Sequence, residues 1–191
     1  KHLPAASGIG GGSSDAAAAL RVLSELWGLE LPEPALTAAL GADVPVCLDP
    51  RPRRMRGVGE DISDPVVLPA AEILLVNPGH PVSTPSVFSR LASRENPPMP
   101  DDLPGWSDAA ALADWLHDQR NDLQQPACEI LPEIGEVLTE LDLMQPLIAR
   151  MSGSGATCFA LFTEGSGEAH LASVQLAEAH PGWWCRAGRL L

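Results

Sequence analysis

A run of glycines that passes directly into a helix-forming segment, PAASGIGGGSSDAAAAL from Pro4 to Leu20, constrains this chain more than any other stretch. Gly8, Gly10, Gly11 and Gly12 admit positive φ angles and let backbone N–H groups approach a ligand that a Cβ would hold away. The alanines and leucines after Ser13 predict a long helix to Trp27, with Leu20, Leu23 and Trp27 at helical spacing and Gly28 as its stop. A helix amino end carries unpaired N–H donors and a partial positive charge, and the hydroxyls of Ser13 and Ser14 add donors to phosphate or ligands to Mg²⁺. A flexible linker has no reason to abut the best helix former in the chain. The spacing is not that of the P-loop, which needs Gly-Lys-Ser/Thr, nor of the dinucleotide fingerprint, which needs a βαβ unit. The stretch therefore reads as another kind of phosphate loop. One helix end contributes only about 0.3–1 kcal/mol, so a triphosphate needs several loop amides and a metal acting together.

Such a local anion trap suits the rest of the composition. The formal net charge of the 191 residues is −13, which argues against a broad nucleic-acid surface. The one cationic cluster, RPRRMR at Arg51 to Arg56, reads as a solvated loop or strand edge, with a phosphate-facing role as the alternative. Cys47, Cys128, Cys158 and Cys185 lie far apart without a C-x-x-C, so reduced, mostly buried thiols are expected. His2, His80, His117, His170 and His180 show no ligand spacing, and the five tryptophans are expected to pack. No apolar run approaches the roughly 18 residues of a membrane span. Lys1 is neither an initiator Met nor part of a signal-peptide pattern, so the expectation is a cytoplasmic protein, without a membrane partner, whose N-terminal part is absent from this sequence.

Beyond the first helix, a short helix is expected near Glu33 to Leu40. In GADVPVCL, Val44, Val46 and Leu48 alternate like a strand with Asp43 at its entrance. RMRGVGEDI reads as extended, Asp64 to Pro69 as a domain boundary, and EILLVNP as a buried strand. STPSVFSRLA offers Ser83 or Thr84 as an N-cap and Pro85 at the first helical position. RENPPMPDDLPG is a surface loop, WSDAAALADWLHDQRNDL a helix with its turn near Asn121, and Cys128 to Leu143 one amphipathic helix with Pro132 in its first turns. LIARM, TCFALF and WWCRAG read as strands, with GEAHLASVQLAEA as the helix between the last two. From Glu72 onward the order is strand, helices, strand, strand, helix, strand. It fits an α+β sandwich with helices on one face of a mainly antiparallel sheet.

The loop resembles the second motif of the GHMP kinases, a Pro-x-x-x-Gly-Leu-Gly-Ser-Ser type turn leading into a helix. Three consecutive glycines before Ser-Ser, together with LGADVP at Leu40 to Pro45 and MSGSGATCFALF at Met151 to Phe162, are similar to one branch of that superfamily. That branch phosphorylates the 2-hydroxyl of diphosphocytidyl methylerythritol in the non-mevalonate isoprenoid precursor pathway, using ATP and Mg²⁺. The resemblance spans essentially the whole chain. It implies a two-domain α+β architecture: residues 1–66 as part of a ribosomal-protein-S5-like, ATP-binding domain, and residues 67–191 as a ferredoxin-like α/β sandwich. By the same resemblance Pro4, Gly8, Ile9, Gly10, Gly11, Gly12, Ser13 and Ser14 would wrap the ATP phosphates, with Ser14 on the metal. Asp43 would accept the substrate hydroxyl proton; Thr84 and Pro85 would face the methylerythritol end; Gly153, Ser154 and Gly155, in SGSGA, would support the substrate site.

Each of these residues also has a plainer reading. Asp43 before Val44-Pro45 can shape a turn, and SGSG suits a strand-to-strand turn as well as a site. The family's catalytic Lys and its cytosine and adenine pockets map to no residues here, and Lys1 and His2 match none of those roles. The chain alone is therefore expected to be a poor or inactive kinase. Two alternatives remain at this stage, another small-molecule GHMP kinase and a nucleotide-binding module without turnover. The oligomeric state is not legible.

Overall fold

The computed structural model describes residues 3–4 and 7–190; Lys1 and His2 lie outside them. The chain divides into two compact units, Gly10–Val67 on the one hand and Lys1–Ile9 with Leu68–Leu191 on the other. Among the described residues, Ser7 to Ile9 thus group with the carboxyl-terminal unit, whereas the expected domains divide the chain once, between residues 66 and 67. Two hydrogen bonds account for this: the Thr157 N–H donates to Ser7 O at 3.2 Å, and the Ser152 hydroxyl donates to Gly8 O at 2.7 Å.

In the unit Gly10–Val67, α1 spans Gly11–Trp27, starting two residues before Ser13, and stops at Gly28, whose left-handed φ of 63° closes the last turn. Next come α2 (Pro34–Ala38) and α3 (Val44–Cys47). The α3 segment corrects the expected strand: Pro45 lies in the first turn, the Val44 N–H donates to Gly41 O at 3.0 Å, and Val44 and Pro45 are both buried. A short apolar run does not distinguish strand from helix by its periodicity; Pro45 is tolerated in a first helical turn, and the bond to Gly41 O from outside the run decides for the helix. Strands β1 (Arg53–Arg56) and β2 (Asp61–Pro65) pair as an antiparallel hairpin, so the extended piece folds back on itself at Gly57. The arginine cluster is engaged locally. Arg51 and Arg53 both bind Asp49, and the Arg51 guanidinium holds that carboxyl well below the usual carboxylate range, while Arg56 pairs with Asp61 at 3.8 Å. Within this unit Ala17 of α1 is buried, while Leu26 and Trp27 at its carboxyl end are exposed. The expectation that all five tryptophans pack fails at Trp27.

The larger unit is built around β3 (Ala71–Asn77), an apolar strand flanked on both sides. It forms a four-stranded sheet with β4 (Ile148–Met151), β5 (Cys158–Thr163) and β6 (Trp184–Leu190), in the order β4-β5-β3-β6 with every pair antiparallel. This is the ferredoxin-like order expected of the strand, helices, strand, strand, helix, strand sequence. Its helices are α4 (Thr84–Ser89), α5 (Ala109–His117), α6 (Gln124–Ile130), α7 (Glu133–Leu143) and α8 (Glu168–Ala179). Leu74, Val76, Ala160 and Phe162 share one face of the sheet with Val137 and Leu141 of α7 and Leu176 of α8. The alternate residues Ile73, Phe159 and Leu161 pack with Leu112 and Ala113 of α5. Period-two alternation therefore places α5 on the opposite face, correcting the expectation of helices on one face only.

Three caps and a break define the helices. Ser83 caps α4 by accepting from Ser86 N–H at 3.5 Å, which makes Pro85 the second helical residue rather than the first. Asp108 caps α5 through Ala111 N–H at 2.9 Å, and that donor holds its carboxyl below its usual range. The buried Glu72 reaches from β3 to the amino end of α8, accepting from Gly167 N–H at 3.0 Å and Ala169 N–H at 3.3 Å. The helix expected over Cys128 to Leu143 is two helices, because Pro132 offers no N–H and Leu131 leaves helical geometry with φ −131° and ψ 88°. No helix among the described residues is long and apolar enough to cross a membrane.

All four cysteines are free thiols, and burial pushes the Cys158 thiol up to about 12. The thiolate is the reactive form, so Cys158 should resist iodoacetamide in the native protein at mildly alkaline pH and react once denaturant is added. Mass spectrometry of labelled peptides checks this; rapid native labelling of Cys158 would contradict the packing of β5.

Candidate active site

The amino end of α1 has no side-chain cap: Gly10 is its N-cap, left-handed at φ 63°. The Ser14 N–H donates to Gly10 O at 2.8 Å, leaving the amides of Gly11, Gly12 and Ser13 ahead of the first intrahelical bond. A Cβ on Gly12 would meet nothing within 4 Å, so space lies open at the helix end. The Ser14 hydroxyl donates to Cys47 Sγ at 3.6 Å, which leaves its lone pairs available to a cation. These donors and lone pairs fit a phosphate group and a hard metal ion.

Asp43 belongs to the same unit. It is the N-cap of α3 with φ −88° and ψ −4°, yet its side chain makes no cap hydrogen bond and stands exposed. What fixes α3 is its other end: Arg21 of α1 donates to Cys47 O at 3.0 Å and Leu48 O at 3.2 Å, while Val44 is buried beneath. The carboxylate is thus mounted on a braced turn without being consumed by it.

In the other unit, the turn after β4 collects Ser152, Gly153, Ser154 and Gly155. Gly153 and Gly155 have φ of 53° and 87°, and the turn is closed by Gly155 N–H to Ser152 O at 3.0 Å and Ser152 N–H to Thr157 O at 2.8 Å. Ser152 holds Gly8, itself at φ 70°, and the Ser7 hydroxyl returns to Pro4 O at 3.0 Å. The Ser154 and Thr84 hydroxyls lie 2.7 Å apart, which brings the expected STP and SGSG residues together. Pro85 follows in α4, exposed. Gly8 and Ile9 group with this unit and Gly10 to Ser14 with the other.

Residues 1–49 match the GHMP kinases N terminal domain, and residues 103–178 match GHMP kinases C terminal. A 4-diphosphocytidyl-2-C-methyl-D-erythritol kinase of Ruegeria pomeroyi is 53% identical over 192 residues, covering 100% of this chain and 69% of the relative. A protein of the same name from Cereibacter sphaeroides is 55% identical over 194 residues with the same coverage. The chain belongs to the GHMP kinases. A crystal structure of a 4-(cytidine 5'-diphospho)-2C-methyl-D-erythritol kinase matches with a TM-score of 0.75 at 34% identity, over 98% of this GHMP kinase chain and 68% of its own. Homoserine kinase from Cytophaga hutchinsonii matches with a TM-score of 0.61 at 15% identity, a likeness of fold alone.

Several residues that hold these turns in this GHMP kinase chain carry no legible signal in the sequence. Arg21 looks like an ordinary helix-surface cation, and its carbonyl partners lie 26 and 27 residues away. Ser152 reads as turn filler, with its acceptor 144 residues distant. Asn121 was legible as a turn residue but not as the donor to Met151 O and Gly153 O, both at 2.9 Å.

Proposed function

We propose that this chain carries the phosphate-binding helix end and the general base for ATP-dependent phosphorylation of the 2-hydroxyl of 4-diphosphocytidyl-2-C-methyl-D-erythritol, with poor or no turnover expected of the 191 residues alone. The observation that carries the kinase reading is the uncapped amino end of α1, with open space at Gly12, on the same unit as an exposed and otherwise unused Asp43. The substrate rests on the names of the relatives at 53% and 55% identity. ATP with Mg²⁺, when bound, supplies the transferable phosphoryl group and offsets its charge. Gly11, Gly12 and Ser13 would donate backbone N–H groups to phosphate oxygens, and the Ser14 hydroxyl would hold the metal. Each helix-end contribution is worth about 0.3–1 kcal/mol, rising to ~2 in partly buried geometry, so the amides act as a set.

Asp43 takes the proton from the attacking hydroxyl, a role for which an exposed carboxylate on a braced turn is suited. Thr84, Pro85 and Ser154 contribute to the substrate side, with Gly153 and Gly155 shaping the turn that presents Ser154. The test is phosphorylation of diphosphocytidyl methylerythritol by the protein expressed from its gene, beside this 191-residue chain and a panel including homoserine and mevalonate. Turnover confined to the diphosphocytidyl substrate supports the full reading. Turnover of a different panel member keeps the phosphotransferase and removes the substrate, and ATP binding without any turnover removes both.

A further inference from the structure

A turn with two left-handed glycines is soft by default, since each glycine has more conformational freedom to lose than any other residue. Yet the Ser152–Gly155 turn makes two contacts that demand a fixed shape, Ser152 to Gly8 O and Ser154 to Thr84, each at 2.7 Å. The stiffening comes from the segment between α5 and α6. Asn121 uses both hydrogens of its amide nitrogen, donating to Met151 O and Gly153 O at 2.9 Å each. Its own carbonyl accepts from Leu123 N–H at 3.0 Å, an Asx-type turn that locks the side chain. Gln124, in the first turn of α6, accepts with Oε1 from Met151 N–H at 3.0 Å, satisfying the last residue of the edge strand β4. Every hydrogen-bonding group of Asn121 that can reach the turn is in use, and all point at its entrance.

We infer that Asn121, seconded by Gln124, is a positioning residue for the phosphoryl transfer. It fixes the Ser152–Gly155 turn, through which Gly8 at the head of the glycine stretch and Thr84 on the substrate side are both placed. This rests on the kinase reading above for its catalytic consequence, but the fixing of the turn does not. The chemistry is specific. An aspartate at 121 replaces two donors by an acceptor facing two carbonyls, whereas a glutamate at 124 keeps the acceptor that Met151 N–H needs.

The experiment compares Asn121→Asp, Gln124→Leu and Gln124→Glu with Leu176→Ala, a truncation in α8, which packs on β3, β5 and β6. Steady-state kinetics are read well below each melting point. Asn121→Asp is expected to lower kcat/KM about 10²-fold through misplacement of the reacting groups. Gln124→Leu should lower it about tenfold for the one bond lost, and Gln124→Glu should restore it. Leu176→Ala should melt earlier but keep the wild-type kcat/KM. Hydrogen–deuterium exchange over residues 7–10 and 152–157 reads the same property without turnover, and both segments should lose protection in Asn121→Asp. Native kcat/KM in Asn121→Asp overturns the inference, as does exchange at 152–157 unchanged from wild type. A wild-type protein inactive on the diphosphocytidyl substrate instead removes the proposed function, and the exchange data then decide the role of Asn121 alone.

Discussion

Asp43→Asn is expected to lower kcat about 10²–10⁴-fold, the contribution of a positioned general base, while leaving the fold intact. Asparagine matches aspartate in shape but cannot take up the hydroxyl proton at neutral pH. The Asp43 carboxylate is exposed and makes no cap hydrogen bond, so its loss should change stability by no more than about 0.5 kcal/mol. The competing account, in which Asp43 only shapes the turn into α3, predicts the reverse pattern: a lowered melting temperature with kcat retained. Thermal unfolding and steady-state kinetics on the same preparation separate the two. The KM for ATP should move little, because Asp43 acts on the acceptor hydroxyl; a large rise in that KM with kcat unchanged would place Asp43 on the nucleotide instead.

The parts of the structure legible in the sequence are those whose cause is local. Helix α1 is announced by its alanines and closed by Gly28, and β3 by an apolar run too short for a helix and bounded by Pro78 and Gly79. The α3 segment was not legible, because four residues of Val-Pro-Val-Cys satisfy a strand pattern and a helical turn equally, and Gly41 decides between them from outside the run. The break at Pro132 is visible as a residue but not as an event, since proline is tolerated in a helix's first turn and the apolar pattern begins at Cys128, five residues before α7 does. Placement of α5 on the far face depends on which alternate residues of β4 and β5 lack cover, a property of the assembled sheet.

The site divides the same way. A phosphate loop needs glycines and hydroxyls at the start of a helix, and all of them are neighbours in sequence. What holds the second turn in shape is drawn from afar: Asn121 reaches 30 and 32 residues ahead, and Ser152 reaches back 144. No periodicity or composition encodes such pairs, because an asparagine at a turn has the same local signature whether its amide faces water or two carbonyls. Polar residues flanking a glycine turn are the one hint available, and they become informative only once the strand order brings α6 beside the end of β4.

Gly8→Ala should be the most damaging of the glycine substitutions, and Gly12→Ala the most instructive. At Gly8 the φ of +70° already disfavours an L-residue by about 1–2 kcal/mol, and an added Cβ would fall 2.4 Å from Ser152 O and 2.8 Å from Gly155 O. Those atoms are backbone, in a turn closed on itself and fixed by Asn121, so they cannot give way as a flexible side chain would. Residues 7–9 must move instead, and with them the head of the glycine stretch; kcat/KM is expected to fall about 10²-fold or more. Gly12 reverses every one of these conditions. It lies in the first turn of α1, a Cβ there meets nothing within 4 Å, and alanine is the better helix former by about 1 kcal/mol. Gly12→Ala should therefore melt no lower than wild type and still raise the KM for ATP, because the methyl group fills the space that a phosphate approaching the helix amides would need. A Gly12→Ala protein with unchanged KM for ATP would remove the phosphate from the end of α1. Wild-type kcat/KM in Gly8→Ala would mean that the contact with the Ser152 turn has no part in the reaction.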